Sequence, residues 1–322
     1  MAEVAVLCRK ELKDLSRSRA TAGLLVFLSA VIILSVLVAA ADYRVKLAEY
    51  TAYADALRAA GGSPTRPPNL FPLQMLRGGI EYLEIVGSLF AVILGYGLVA
   101  KEKGSNTLQL LFTRPLGRHA FAGGKILATA VVWLAVVLGL FAVITLAVLL
   151  AGQAQLGGQD FLRLAIAAAH TCVYFIMWSL LALALASLTR QPASGLVLAL
   201  VLWLVIVLVI PQIGDTMDPD NQIPGGLFAS LQIDATNENA LMTRFASYET
   251  WRDFVEQTST TKQYERAVFA YLGVQSQYNQ LSPGDVWAAT SHNSLWLLAT
   301  SVFTAAAAFL ATTREILLRK LP

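Results

Sequence analysis

Residues 195–210 read GLVLALVLWLVIVLVI, an apolar run without a charge. With its uncharged flanks it extends over 191–212. A helix that crosses a bilayer needs roughly 20 apolar residues to cover the hydrocarbon core. One such run is compatible with a buried helix of a soluble protein, but the pattern recurs. Residues 20–41 give 22 positions without a charge, and 126–150 give 25. Residues 164–189 are uncharged, with His170, Cys172 and Tyr174 as their titratable side chains, and 293–313 form a last run. Residues 85–100 are short at 16, and reach spanning length through 80–84 if Glu81 and Glu84 lie at the interface. Six runs in one chain count against the soluble reading. The sequence predicts an all-α integral membrane protein with six transmembrane helices.

Composition agrees. Of 322 residues, 56% are hydrophobic and 14% charged, whereas soluble domains carry about 25% charged residues. The mean hydropathy is +0.60. The first run is longer than a signal-peptide core and lacks its compact three-part pattern, so it reads as a span. Orientation follows from Lys and Arg. With the N-terminus inside, the inner segments 1–19, 101–125, 189–193 and 312–322 hold 14 of the 24 Lys and Arg in 60 residues. Both termini are therefore expected in the cytoplasm. The net charge of +3 is a sum over two faces and gives no reason to expect nucleic acid.

Between the runs, residues 3–19 place Val4, Leu7, Cys8, Leu12 and Leu15 on one helical face and Arg9, Lys10, Lys13 and Arg17 on the other. This predicts an amphipathic interfacial helix leading into span 1. Residues 42–60 lack helix breakers and continue span 1 outward until Gly61-Gly62-Ser63-Pro64. The chain divides into 1–210 (leader and spans 1–5), an extracytoplasmic helical segment 211–290, and 291–322 (span 6 and a cytoplasmic end). Segment 211–290 holds ten acidic and four basic residues. Trp251, Phe254 and Val255, then Tyr264, Val268, Tyr271 and Leu272, repeat at helical spacing. Two amphipathic helices fit, leaning on the spans or on a second copy for want of a core of their own.

Catalytic and metal patterns are missing. There is no GxxxxGK[ST], no HExxH and no GxSxG, and His119, His170 and His292 are scattered. Cys8 and Cys172 form no framework. No catalytic and no metal residue is expected. Ionisable residues inside a membrane are candidates for a pathway. His170 has two readings, as such a group or as a hydrogen-bonded histidine between helices. Glu81 and Glu84 either line an outer vestibule or snorkel to water.

The segment between spans 2 and 3, residues 101–118, reads KEKGSNTLQLLFTRPLGR. Leu108, Leu111 and Phe112 fall at i, i+3 and i+4, Asn106 and Thr107 can cap a start, and Pro115 ends the helix. Lys101, Lys103, Arg114, Arg118 and Lys125 surround it. This short basic amphipathic helix either lies on the membrane surface or docks into a partner.

The segment resembles the loop after span 2 in ABC-2 type ATP-binding-cassette transporter permeases. That family shows an acid, Gly-Thr-Leu-Glu, a leucine pair, Thr-x-Pro, a basic residue and Gly-Lys. Here Glu102, Thr107-Leu108, Leu110-Leu111, Thr113, Pro115, Arg118 and Gly124-Lys125 match, while Asn106 and Gln109 depart. The wording also looks similar to permeases of nitrous-oxide reductase maturation systems. The resemblance covers the architecture of the whole chain and the motif of about 25 residues.

It implies a permease, most simply a homodimer, with two copies of a partner ATPase subunit. The permease itself would be no enzyme and bind no cofactor; ATP and magnesium would sit in the ATPase. Glu102, Thr107, Leu108, Leu111, Phe112, Arg114, Pro115 and Arg118 would couple to it, the apolar residues filling a groove and Glu102, Arg114 and Arg118 lying at its rim. The cell inner membrane is the implied location, and export of an unknown substrate the implied function. The alternatives are a membrane-anchored signalling or scaffold protein, binding an external partner through 211–290, and an intramembrane enzyme. The enzyme reading lacks a catalytic pair around His170.

Overall fold

A computed structural model describes residues 2–63, 71–104, 117, 119–152, 156–217 and 246–319. The described residues are helical throughout apart from turns. Helix α1 is Ala2–Ser16 and α2 is Arg19–Ala59. After a 3₁₀ turn, Pro72–Leu76, come α3 (Arg77–Tyr82), a π-turn (Leu83–Gly87) and α4 (Ser88–Gly104) as one continuous rod. Then follow α5 (Ala120–Gly152), α6 (Gly158–Leu188) and α7 (Pro192–Leu204). A second π-turn, Val205–Val209, joins α7 to α8 (Ile210–Met217). Last are α9 (Ala246–Thr258), α10 (Thr260–Tyr271), α11 (Ser276–Asn279), α12 (Pro283–Ala311) and α13 (Arg314–Arg319).

Six of these rods are long and apolar enough to cross a membrane: Thr21–Ala59, Pro72–Lys103, Ala120–Leu150, Gly158–Leu188, Pro192–Gly214 and Pro283–Ala311. The six expected spans are all present. The chain is an all-α membrane protein. We call the face that carries α1 and α13 the near face, and the opposite one the far face.

Span 4, α6, is the centre. Its most apolar window is 67% buried, against 22% for spans 1 and 5. It packs against spans 2, 3, 5 and 6. Close approach is allowed by glycine. A Cβ on Gly95 would stand 2.0 Å from the Ser179 carbonyl oxygen, and one on Gly195 2.5 Å from the Ala186 Cα. Polar links then fix the layers. Trp133 Nε1 donates to the Ser179 hydroxyl at 2.7 Å, and that hydroxyl donates to the Ala91 carbonyl at 2.8 Å. Spans 2, 3 and 4 thus share one buried serine. Because backbone, not a flexible side chain, faces Gly95, Gly95→Ala is expected to cost about 1–3 kcal/mol. Thermal unfolding in detergent, read by tryptophan fluorescence, measures it; an unchanged midpoint would show that spans 2 and 4 can separate freely.

Helix α2 continues as expected well past the hydrophobic run, over about 60 Å. It ends where Gly61 takes φ +80°. The Gly62 amide donates back to the Leu57 carbonyl at 2.9 Å, closing a Schellman turn. The leader forms α1, but it does not run unbroken to residue 19. The chain turns at Arg17, and the Ser18 hydroxyl caps α2 by accepting from the Thr21 amide. Span 6 begins at Pro283 because Ser282 and Asp285 form a capping box there.

The far-face segment leans on the spans, one of the two supports expected for it, and does so deeply. Helices α9 and α10 form as their spacing predicts, but α10 is not outside the bundle. It is buried along its length and packs on spans 4 and 6. Thr261 meets Tyr174, Tyr264 meets Thr171, and Tyr271 meets Arg163. These pairs run antiparallel to span 4. Tyr174 lies ten residues, about 15 Å, below Leu164, where the uncharged run of span 4 starts. The turn between α9 and α10 therefore reaches the middle of the bundle, as a re-entrant hairpin. At the turn itself Ser259 is buried, while Gln257 and Thr258 just before it are exposed.

Candidate functional site

The near face is organised by charge. Glu11 lies on the same side of α1 as Val4, Leu7 and Cys8, and is buried with Leu7 and Cys8. That side faces the start of α5, where Gly123 and Gly124 admit it: a Cβ on Gly124 would lie 2.7 Å from Leu7. The next residue, Lys125, is 1% exposed. Its ammonium is 3.1 Å from Glu11 and 3.0 Å from Glu102. It also donates to the Leu98 carbonyl and sits 4.7 Å above the Phe121 ring centre. Lys10 joins Glu102 at 2.6 Å and Glu11 at 3.5 Å. Two cations thus neutralise two carboxylates. Burial acts to lower the Lys10 pKa, but contact with Glu102 and Glu11 outweighs it, and the value stands above that of an ordinary lysine.

Lys103 holds the neighbouring corner. Its ammonium donates to the carbonyls of Ala186, Ser187 and Thr189 at 3.0, 2.7 and 2.8 Å. These are the orphan carbonyls at the end of span 4, where a cation also meets the negative end of the helix dipole. Both ends of the segment 101–125 are therefore anchored in protein. Glu102 is tied to the leader and to span 3, and Lys103 to span 4. Glu102 is 8% exposed, so here it faces the leader and span 3, not an open rim. The other residues expected to couple, Thr107, Leu108, Leu111, Phe112, Arg114, Pro115 and Arg118, lie outside the described residues.

A second polar layer lies at the depth of the hairpin turn. Trp203 Nε1 donates to the Ser88 hydroxyl at 2.8 Å, and Ser88 to the Ile85 carbonyl at 3.0 Å. Tyr174 and Tyr264 stack, with ring centres 4.3 Å apart and planes 7° from parallel. The Tyr174 hydroxyl reaches the Glu84 carbonyl at 3.2 Å, and the Ser259 hydroxyl donates to the Ile206 carbonyl at 2.8 Å. Each acceptor lies in a π-turn, whose widened ladder leaves carbonyls available. Spans 2 and 5 thus each offer one backbone group to this layer.

The three pathway candidates separate. Glu81 is half-exposed and paired with Arg77 at 3.0 Å. Glu84 does not snorkel. At 6% exposure it is turned inward beside Tyr174 and Tyr264, since the π-turn rotates the helix at that point. His170 is bonded at both ring nitrogens: Nδ1 to the Ile166 carbonyl and Nε2 to the Ser294 hydroxyl, each 2.8 Å. It bridges spans 4 and 6. Among the described residues, no group of three His, Cys, Asp or Glu side chains could hold a metal ion.

Sequence reasoning missed Glu11 and Arg163. Glu11 interrupts the apolar stripe of α1 at i+4 from Leu7, a signal present in the sequence. Arg163 stands at the edge of an uncharged run and gave none.

A family model described as ABC-2 family transporter protein matches residues 5–315. No curated protein matches the chain.

Proposed function

The chain belongs to the ABC-2 transporter family, and on that premise we propose that it is the permease through which a partner ATPase drives export of an unidentified substrate. It is a multi-pass membrane protein and a permease component of an ATP-binding-cassette transporter. In this reading the near face is cytoplasmic, the membrane is the cell inner membrane, and two copies pair as a homodimer with two ATPases. The sparsely buried spans 1 and 5 supply surface for that pairing. ATP and magnesium bind in the ATPase, which carries out the hydrolysis. Residues 102–118 are the coupling element, with Leu108, Leu111 and Phe112 in the ATPase groove and Arg114 and Arg118 at its rim.

The observation that supports this reading is the anchoring of the segment at both ends. A push on a loop tethered by flexible chain would be absorbed by the chain. Here Glu102 is locked to Lys10 and Lys125, and Lys103 to the end of span 4. A displacement of 105–118 is then delivered together to the leader and to spans 2, 3 and 4. Span 4 carries it to the tyrosine layer beneath the re-entrant hairpin.

Affinity capture of the detergent-solubilised chain from its native membranes, with mass spectrometry, tests the reading. The intact protein is expected to bring down an ATP-binding-cassette ATPase. Leu111→Asp/Arg114→Glu is expected to insert normally and lose it. Absence of any ATPase from both samples, with other membrane complexes preserved, would overturn the proposal.

A further inference from the structure

The ion cluster stands at the mouth of a cavity of about 900 Å³. Span 1 packs on span 2 through the far part of that rod, the 3₁₀ turn, α3 and the first π-turn. Gly78 and Gly79 lie there against Ser35, Ile32 and Val36. Toward the near face the two spans diverge. Between them, Leu24 and Leu25 of span 1 face Phe90, Ile93 and Leu94 of span 2, with Trp133 of span 3 as the back wall. The mouth is lined by α1 and by Lys101 and Glu102.

Chemistry and dimensions point to one kind of occupant. The volume lies within the range of about 300–1,000 Å³ usual for ligand sites. The lining is apolar in depth and charged at the mouth, and apolar cavities are poorly filled by water. From Lys101 to Phe90 is eleven residues of helix, about 16 Å, the thickness of one hydrocarbon leaflet within a core of about 30 Å. Ile93 is partly exposed beside the cavity, so its wall is continuous with the lipid-facing surface. At the mouth, Lys10 is neutralised by carboxylates and Lys101 lies 3.3 Å from Asp14. Arg17 is exposed, lines the mouth, and makes no ion pair among the described residues.

We propose that this cavity binds one phospholipid of the near-face leaflet, with an acyl chain between spans 1 and 2 and its phosphate against Arg17 and Lys101. An anionic headgroup is preferred, because the mouth offers an unneutralised arginine and no unpaired acid among the described residues. The site is independent of which substrate the transporter moves. By wedging the near halves of spans 1 and 2 apart, the lipid holds α1 where Glu11 and Lys10 meet Glu102.

Native mass spectrometry of the full chain tests this, after equilibration with vesicles of phosphatidylglycerol or of phosphatidylcholine. One phosphatidylglycerol per chain is expected to survive detergent exchange. Arg17→Gln is expected to reduce the preference for phosphatidylglycerol about fivefold, the effect of one cation near a headgroup. Ile93→Trp is expected to remove the bound lipid by filling the cavity, with the unfolding midpoint as a check on folding. A phosphatidylglycerol with a photoreactive acyl chain should label peptides carrying Leu24 and Ile93. No retained lipid, retention unchanged by both variants, or labelling confined to other surfaces would overturn the proposal. Labelling seen only in the monomer would overturn it too, and assign the cavity to a second copy of the chain.

Discussion

Lys125→Met is expected to lower the stability of the folded chain by about 3–5 kcal/mol, the cost of removing one partner from a buried ion pair. Methionine matches the lysine stem in length, so packing against Phe121 and the leader is largely kept. What changes is charge. Glu11 and Glu102, both nearly inaccessible, would lose the lysine that joins them and keep their contacts with Lys10. Solvent cannot reach in to compensate. The Leu98 carbonyl also loses its donor. Thermal unfolding in detergent reads the effect directly. The double variant Lys125→Met/Glu11→Gln restores neutrality and should recover part of the loss, with a coupling of about 0.5–3 kcal/mol between the sites. A single variant as stable as the parent would mean that the cluster does not hold α1 to spans 2 and 3. Under the proposed function, ATP-driven transport should fall further than ATPase capture does, since the substitution lies outside the proposed contact at 105–118.

The six spans were legible because each is decided by its own composition: an uncharged run of sufficient length has few other places to go. The end of α2 followed local chemistry at Gly61, whereas the capping box at Ser282, which starts α12 ahead of the uncharged run 293–313, was not read from the sequence. The near-face cluster was not legible as a cluster. Glu11 and Lys125 are 114 positions apart in sequence, and each alone reads as an ordinary flank charge. Their pairing depends on Gly123 and Gly124 letting two helices approach, which is a tertiary fact. The hairpin was hidden for a different reason. Helix α10 carries Thr260, Thr261, Lys262, Gln263, Glu265 and Arg266, and such polarity reads as solvent-exposed. The periodicity of Tyr264, Val268, Tyr271 and Leu272 showed which side would be buried, but not against what. The surfaces that accept it are a π-turn carbonyl, a tyrosine and a threonine on other elements, none recognisable beforehand as a receptor for a helix.

Arg163→Leu is expected to release that helix. Arg163 is 2% exposed and gathers the chain that leaves α10. Its guanidinium donates to the Tyr271 carbonyl at 2.9 Å, the Tyr278 carbonyl at 3.2 Å, the Asn279 carbonyl at 3.4 Å, and the Leu281 carbonyl. It also stands 5.3 Å above the Phe71 ring centre, and Phe71 packs where Gly273 turns at φ +62°. One side chain of span 4 thus fixes the end of α10, the short helix α11 and the start of span 6. Hydrogen bonds to a charged group are worth about 1.5–3 kcal/mol each. With two of them counted, the variant should lose about 3–6 kcal/mol of local stability. Arg163→Lys should rescue little, because a point charge cannot reproduce a planar fork. The readout is amide hydrogen exchange. Protection should collapse over 260–281, while spans 2, 3 and 4 keep theirs near the Trp133–Ser179–Ala91 link. If 260–281 stayed protected, the hairpin would be held by the tyrosine layer alone, and Thr171 and Tyr174 would be the residues to change. If protection fell everywhere at once, hairpin and bundle would be a single cooperative unit. A hairpin that moves separately from span 4 would then be ruled out as part of the transport cycle.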